Sequence, residues 1–177
     1  YRRDRADEFI DEMRQRLDAL RGALADGSSL AAVLVTRHEA VVDAETRRYL
    51  DSLRELHIRV AALVVNAVTN ESGAPEMLDV LPTILVPRTA TPPQGIPPIL
   101  AAFAHSRSRP LTPRAKKTPP RRASRRRNSA ARPDLRTLTV IGGKGGVGKS
   151  TVACALGIAA AAEDAGTVLL VSTDPAP

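Results

Sequence analysis

Gly142-Gly-Lys-Gly-Gly-Val-Gly-Lys-Ser-Thr151 is the stretch of this 177-residue chain that decides its fold. It contains the pattern Gly-x4-Gly-Lys-Ser/Thr, in which glycine amides surround a phosphate group. Residues 138–141 before it are apolar and mostly β-branched, which predicts a short strand. Residues 151–163 after it are rich in alanine and contain no proline, which predicts a helix. The sequence therefore predicts a phosphate-binding loop at a strand-to-helix turn.

The chemistry expected of this loop is the binding of a nucleotide with Mg²⁺. The N–H groups of residues 145–149 are expected to converge on the β-phosphate, because glycines let the main chain approach and the helix N-terminus adds positive charge. Lys149 is predicted to reach the β- and γ-phosphates, Ser150 to bind Mg²⁺ and Thr151 to bond the α-phosphate. The predicted contacts in the loop are Gly143, Lys144, Gly145, Gly146, Val147, Gly148, Lys149, Ser150 and Thr151.

A candidate catalytic acid follows a second apolar segment. Residues 167–172 are predicted to form a buried strand, which ends at Thr173-Asp174-Pro175. In an α/β sheet the ligand lies at the carboxyl ends of the strands. Asp174 is therefore predicted to orient the attacking water or to complete the Mg²⁺ shell. The alternative is an Asp-Pro turn without a catalytic role.

The positive charge of the chain is concentrated in one segment. The net charge is +7, yet residues 106–134 hold 11 Lys/Arg and one acidic residue, which leaves 15 basic and 18 acidic residues elsewhere. Five prolines and the absence of apolar periodicity predict that this segment is a disordered linker. With only two Phe and two Tyr in the chain, base stacking is not expected. A solvated spacer is favoured over an arm that binds nucleic acid or anionic lipid.

Ahead of the linker, helix and strand patterns alternate. An amphipathic helix is predicted up to Gly27, with its apolar stripe assigned to the core: Phe9, Ile10, Met13, Leu17, Leu20 and Leu24. Strands are predicted at 30–35, 60–65 and 83–86, and a helix at 43–56 with Val42, Leu50, Leu53 and Leu56 facing inward. The alternation predicts parallel βαβ units, and so an α/β fold with helices on both faces of a parallel sheet.

Three segments follow from these patterns: 1–105, the linker 106–134, and 135–177 with the phosphate loop. The last segment is too small to form its own core, so its strand 138–141 is expected to dock beside strand 30–35. Cys154 is the only cysteine and the three histidines share no ligand spacing, so no metal-thiolate site is expected. The longest apolar runs fall short of the ~18 residues that span a bilayer, which favours a cytoplasmic location, at most peripheral at the inner face of the membrane.

The chain resembles the arsenical pump-driving ATPases (ArsA) and the related ATPases that target tail-anchored membrane proteins. Residues 140–151 match that family's loop closely, and residues 171–176 match its Ser-Thr-Asp-Pro-Ala stretch, although Pro177 replaces the usual histidine. Residues 31–36, 44–48 and 63–66 follow the order of motifs near the end of such a domain, with Arg37-His38-Glu39 in place of Ile-Pro-Glu. The chain therefore resembles the junction of two tandem ATPase halves, the P-loop NTPase fold being incomplete in each.

The resemblance implies further site residues. Asn66 matches an asparagine that hydrogen-bonds adenine, and Pro87 lies in the loop that closes over the purine. The alternatives are a polar residue ending a strand and an ordinary strand-terminating proline. Lys144 matches a signature lysine that crosses to the nucleotide of the facing half. Such a lysine adds charge only when the halves close, whereas a second cation in cis would add little to Lys149. Lys144, Lys149 and Asp174 are thus the predicted catalytic residues.

The function implied is that of an ATP-hydrolysing motor for efflux of arsenite or another anion, working with an integral membrane pump subunit and a facing ATPase half. The present chain alone is not expected to turn over ATP. An ATPase for membrane-protein targeting or cargo partitioning is an alternative within the same chemistry. A non-enzymatic alternative makes the basic linker an anchor on anionic membrane or nucleic acid, although no specific nucleic-acid binding is expected.

Overall fold

The computed structural model describes residues 4–69, 81–109, 132–163 and 166–173. Within them, helices and strands alternate from residue 5 to residue 68, as predicted. The elements in chain order are α1 (Arg5–Ala25), β1 (Leu30–Thr36), α2 (Ala40–Glu55), β2 (Val60–Val68), β3 (Thr83–Pro87), α3 (Ile96–Ala104), β4 (Arg107–Arg109), β5 (Leu138–Gly142) and α4 (Lys149–Ala161).

The described strands form one five-stranded sheet in the order β4-β3-β2-β1-β5. Strand β1 pairs in parallel with β2 and with β5, and β2 pairs in parallel with β3. Only β4 runs antiparallel, against β3. The predicted α/β class with a mostly parallel sheet is confirmed.

Strand β1 lies at the centre of the core because both of its faces are covered. All seven of its residues are buried. Alternate side chains point to opposite faces of a strand. Val33 and Val35 accordingly pack with Phe103 of α3 and Val152 of α4, whereas Leu34 packs with Leu50 of α2. Helices therefore cover both faces, which fixes the register of the strand relative to its neighbours.

The expected docking of the phosphate-loop strand is confirmed by the register of β5. Leu30 pairs with Leu138, and the parallel pairing continues to Leu34 and Gly142. Beside this strand, Arg59 donates to Asp134 over 2.9 Å. That hydrogen bond, together with the charge of Arg136, lowers the pKa of Asp134. Residues 75 or more positions apart in sequence are thus brought into contact, as the hydrogen bond of Asn66 with Val147, 81 positions apart, also shows.

The apolar stripe of α1 was predicted to be core, and this is wrong for the described structure. Helix α1 has no buried residue within its span, and Phe9, Met13 and Leu17 are among its exposed apolar side chains. The helix still has local support, because Asp4 and Asp7 form a reciprocal capping box at its start. Helix α1 contacts β1, but α2, α3 and α4 supply the side chains that cover the sheet.

The segment 167–172 also differs from its prediction, since residues 166–173 form no strand. No partner strand lies beside it within the described residues. A Cβ placed on Gly157 of α4 would lie 3.8 Å from atoms of both Val168 and Leu170, which are less exposed, at 38% and 52%, than Leu169 and Val171, at 84% and 72%. The segment therefore lies against α4 rather than in the sheet. The outer side of β5 is open in the described residues, where Leu138 and Val140 are exposed.

Three smaller differences concern element boundaries. Helix α3 was not predicted, and it begins with Ile96-Pro97-Pro98, where proline suits the first turn. Residues 107–109 lie in the segment predicted to be a linker but form β4, which needs only backbone pairing at a sheet edge. Leu56 was predicted to face inward, but it is the C-cap of α2 and is exposed.

Of the predicted linker, residues 110–131 lie outside the described residues. Across the described ranges, no helix is long and apolar enough to cross a membrane.

The turn between α1 and β1 is closed by Asp26. Its carboxylate accepts from the hydroxyl of Ser28 over 2.6 Å and from the N–H of Ser28 over 2.9 Å. Leu30, the first residue of β1, donates its N–H to the carbonyl of Asp26. The hydroxyl of Ser28, followed by Ser29 and the backbone of Ser28, lowers the pKa of Asp26 from 3.8 to about 2. The ionised carboxylate therefore stabilises the entry into β1.

We expect the contribution of Asp26 to vanish in acid. A carboxyl whose pKa is lower in the folded state stabilises the fold above its unfolded value of 3.8 and loses that effect as pH falls towards about 2. The difference in unfolding midpoint between the parent chain and Asp26→Asn should therefore be constant above about pH 5 and shrink between pH 4 and pH 2. Thermal unfolding followed by circular dichroism measures it. A difference that stays constant down to pH 2 would contradict this role.

Candidate functional site

The phosphate loop lies at the carboxyl ends of three parallel strands. Strand β5 ends at Gly142 and α4 begins at Lys149, so residues 143–148 form the turn between them. The end of β1 lies beside the start of this turn. The end of β2 contacts the end of the turn through Asn66. This is the sheet edge at which open α/β folds bind ligands.

Two glycines fit the loop into this place because a side chain would collide with the protein. At Gly143 φ is 149°, and a Cβ would lie 2.2 Å from the backbone oxygen of Val35. At Gly148 φ is 97°, and a Cβ would lie 2.3 Å from the amide nitrogen of Asn66. Gly145 faces open space instead. The loop is therefore pressed against β1 and β2 at its ends and open to solvent in its middle.

Val147 anchors the loop to the core. It is 2% exposed and packs in the cluster that also holds Val35, Val64 and Val152. Burying a side chain of this size contributes roughly 1.5–3 kcal/mol. Because its neighbours in the loop are exposed or half-buried, this one side chain fixes the depth of the loop against the sheet.

The N-terminus of α4 is free to receive an anion. Gly148 is its N-cap, no side chain among the described residues caps it, and its first turn contains no acidic residue. The first N–H groups of a helix have no partner within the helix, and they carry partial positive charge. Ser150 is exposed at this end, and Thr151 is half-buried. The residues predicted to bind phosphate and Mg²⁺ are thus brought together at one helix end.

The two lysines of the loop have different partners. Lys149 donates its ammonium to the carbonyl of Lys144 over 3.2 Å, so it lies across its own loop. Lys144 instead points to α2, where its Nζ is 3.3 Å from Oε1 of Glu45. The predicted crossing of Lys144 to a facing half stays a prediction, and in this chain the lysine forms an ion pair with the first segment.

Glu45 is the residue that sequence reasoning missed. It belonged to a stretch singled out for family resemblance, but it was given no role. Its helix is tied to the end of β1 by a buried pair of hydroxyls, those of Thr46 and Thr36, whose oxygens lie 2.9 Å apart. Thr46 donates its hydroxyl hydrogen to the carbonyl of Val42 over 2.7 Å. The position of Glu45 beside the loop therefore depends on tertiary packing that the sequence pattern does not display.

Asn66, predicted to bind adenine, contacts the loop itself. Its Nδ2 donates to the carbonyl of Val147 over 2.9 Å, and its Oδ1 accepts from the N–H of Ala67 over 2.9 Å.

Pro87, the other residue predicted to lie near adenine, ends β3, on the far side of β2 from β1. It lines an open groove of about 890 Å³ formed by residues between 87 and 105, to which no residue of the phosphate loop contributes within the described chain. Their roles towards adenine stay predictions.

The remaining residues named in the sequence analysis are Asp174 and Cys154. Asp174 lies outside the described residues, so its role as catalytic acid or Mg²⁺ ligand stays a prediction. Cys154 is a half-buried free thiol on α4. In the part of the chain that the structure describes, no group of three or more His, Cys, Asp or Glu side chains is placed to hold a metal ion.

A mostly parallel sheet whose outer strand leads through a Gly-Lys-Ser loop into an uncapped helix defines a phosphate-loop nucleotide-binding protein. A family model described as anion-transporting ATPase (ArsA ATPase) matches residues 2–80 and 136–177, which is more than half of the chain. The chain therefore belongs to this family, as the resemblance implied. No curated protein matches the chain.

Membership identifies the chain as an ATPase of the anion-transporting type and implies the use of a nucleotide with Mg²⁺. The residues present fit these groups. The uncapped start of α4 and the ammonium of Lys149 suit phosphate, and the exposed hydroxyl of Ser150 is a hard oxygen ligand of the kind that Mg²⁺ prefers. The match divides into two blocks that lie on either side of the basic segment.

We expect Gly143→Ala to separate the loop from β1. The added Cβ would meet the immobile carbonyl of Val35, and φ would be unfavourable for alanine, at a total cost of at least about 2 kcal/mol. Gly145→Ala is the matched control, because a Cβ there meets open space, and its effect should stay within about 0.5 kcal/mol. Chemical denaturation of the two variants measures this difference. Equal stability of the two variants would contradict the described loop.

Proposed function

We propose that this chain binds ATP and Mg²⁺ on residues 143–151 and serves in the motor of an anion efflux system, with arsenite as the candidate anion. The single observation that carries the binding step is the phosphate loop itself, held against the core by Val147 and leading into an uncapped helix. Family membership supports the transport role. An integral membrane subunit would then provide the path for the anion.

The contacts of Lys149 support direct phosphate binding. Its ammonium lies 3.2 Å from the carbonyl of Lys144, a neutral acceptor within the loop. A phosphate oxygen would be a charged acceptor, and charge-assisted hydrogen bonds are about twice as strong as neutral ones. Lys149 would therefore turn from the loop carbonyl to the nucleotide without a change of fold. Ser150, exposed one residue later, would hold Mg²⁺.

The ion pair of Lys144 with Glu45 supports a role across an interface. Both side chains are about one-third exposed, at 37% and 36%. Ion pairs at such accessible positions contribute about 1 kcal/mol or less. Lys144 can therefore leave Glu45 when a more strongly charged partner arrives, such as the nucleotide of a facing ATPase half. Closure of the two halves would then be linked to ATP, and Asp174 would act on the same nucleotide.

The remaining parts of the proposal follow from this arrangement. Residues 1–105 would be the end of one ATPase half and residues 135–177 the beginning of the next, joined by the basic segment. Their common sheet, in which β5 lies beside β1, supports a pairing of the two segments. The proposed location is the cytoplasm, at the inner face of the membrane beside the pump subunit.

ATP affinity of the 177-residue chain tests the binding step, with Lys149→Ala as the variant. Loss of one charge-assisted contact corresponds to about 1.5–3 kcal/mol, so the affinity should fall about 10- to 100-fold. Lys144→Ala is the matched control in the same loop, and it should change ATP affinity of the isolated chain less than about 3-fold, because this lysine faces Glu45. Isothermal titration calorimetry with MgATP measures both.

The parent chain must bind MgATP for the proposal to stand. An equal loss of ATP affinity in Lys149→Ala and Lys144→Ala would contradict the division of roles between the two lysines.

The same samples test catalysis. If Lys144 acts on the nucleotide of a facing half, the isolated chain should bind ATP without sustained phosphate release. Steady Mg²⁺-dependent release of phosphate by the monomeric chain would contradict that part of the proposal.

A further inference from the structure

The side chain of Asn66 joins β2 to the far end of the phosphate loop. Its Nδ2 donates to the carbonyl of Val147, which immediately precedes the N-cap of α4. The two residues are 81 positions apart in sequence, and β1 lies between β2, which carries Asn66, and β5, which leads into the loop. The contact therefore bridges over the end of β1 and fastens the turn that carries the first N–H groups of α4.

An irregularity at the end of β2 directs this side chain. The pairing of β2 with β3 shifts in register between Val65 and Val68. Ala67, inside the shift, has φ of 57°, a conformation that residues with a Cβ rarely adopt. Bulges of this kind turn a side chain out of its regular alternation and occur next to binding sites. The N–H of Ala67 donates to Oδ1 of Asn66, which holds the amide in this orientation.

The loop is shaped to receive the amide. Gly148 has φ of 97°, and a Cβ at this position would lie 2.3 Å from Nδ2 of Asn66. Val147 on the other side of the accepted carbonyl is buried in the core. The carbonyl of Val147 and the N-cap residue are thus held between the core and the amide of Asn66.

We propose that Asn66 is a positioning residue for the phosphate loop, acting through the Val147–Gly148 turn on the N–H groups that receive phosphate. This inference rests on the proposed binding of a nucleotide, and it differs from the predicted contact with adenine. A residue that hydrogen-bonds adenine distinguishes among bases. A residue that positions the loop affects every ligand that carries the same phosphates, whatever its base.

The test compares Asn66→Ala with the parent chain, using MgATP, MgGTP and Mg-tripolyphosphate in calorimetric titrations. Loss of the hydrogen bond to the loop should lower the affinity for all three ligands by the same factor, about 3- to 10-fold. A variant that loses affinity for ATP alone, with GTP and tripolyphosphate unchanged, would overturn the inference and favour the adenine contact. A parent chain that binds none of the three would instead refute the proposed function.

Hydrogen exchange without any ligand provides an independent measurement. Asn66→Ala should accelerate exchange of the N–H groups of residues 147–151 and leave those of β1 unchanged, with the unfolding midpoint preserved. Asn66→Asp gives a second variant of the same shape, because its carboxylate would face the carbonyl of Val147 without a donor. Unchanged exchange at the loop in both variants would also overturn the inference, even if the parent chain binds no nucleotide.

A double-mutant cycle tests the contact itself. Gly148→Ala should be less damaging to stability in the Asn66→Ala background than in the parent, since the clash with Nδ2 is then absent. Gly146→Ala is the matched control, because its φ of 77° carries the same strain but a Cβ there meets open space. Its cost should be equal in both backgrounds. Equal costs for Gly148→Ala in both backgrounds would show that Asn66 does not contact the turn.

Discussion

The parallel pairing of β1 with β5 is the interaction on which the rest of the structure depends. Strand β1 is buried on both faces, and β5 lies against it from Leu30 to Leu34. The segment that carries β5 and α4 supplies few of the buried apolar side chains. Its Val147 and Val152 pack in a core that earlier residues supply for the most part. Small units rarely bury enough surface to offset the entropy of ordering the chain. The phosphate loop is therefore ordered by a sheet that begins elsewhere in the sequence.

The candidate site is accordingly a composite of the two segments. The loop supplies the glycines, the lysines and the start of α4, whereas the first segment supplies the surfaces against which the loop rests. Val35 limits its start, Asn66 holds its end and Glu45 pairs with Lys144. A glycine-rich loop has little rigidity of its own, so these three contacts determine the geometry that a phosphate would meet.

Much of this was predictable, because the signals were local. The buried strands read as continuous apolar runs, and the loop combines a strand, glycines and a helix within about 25 residues. The contacts of Asn66 and Glu45 were not predictable, since they depend on a bulge at Ala67 and on the packing of α2 against β1. The apolar run at 167–172 predicted a buried strand, but such a run shows only that the segment is apolar and cannot supply a partner strand. For the same reason the stripe on α1 did not reveal that the helix would remain exposed.

The division of the site between two segments has a kinetic consequence. In the intact chain, residues 109 and 132 are joined covalently, so assembly of β5 onto β1 is an intramolecular, first-order event that does not depend on protein concentration. Were a protease to cut between them, the two pieces would have to find each other by diffusion. The cut molecule would then form its phosphate site in a second-order reaction and lose it on dilution, although every residue of the site would still be present.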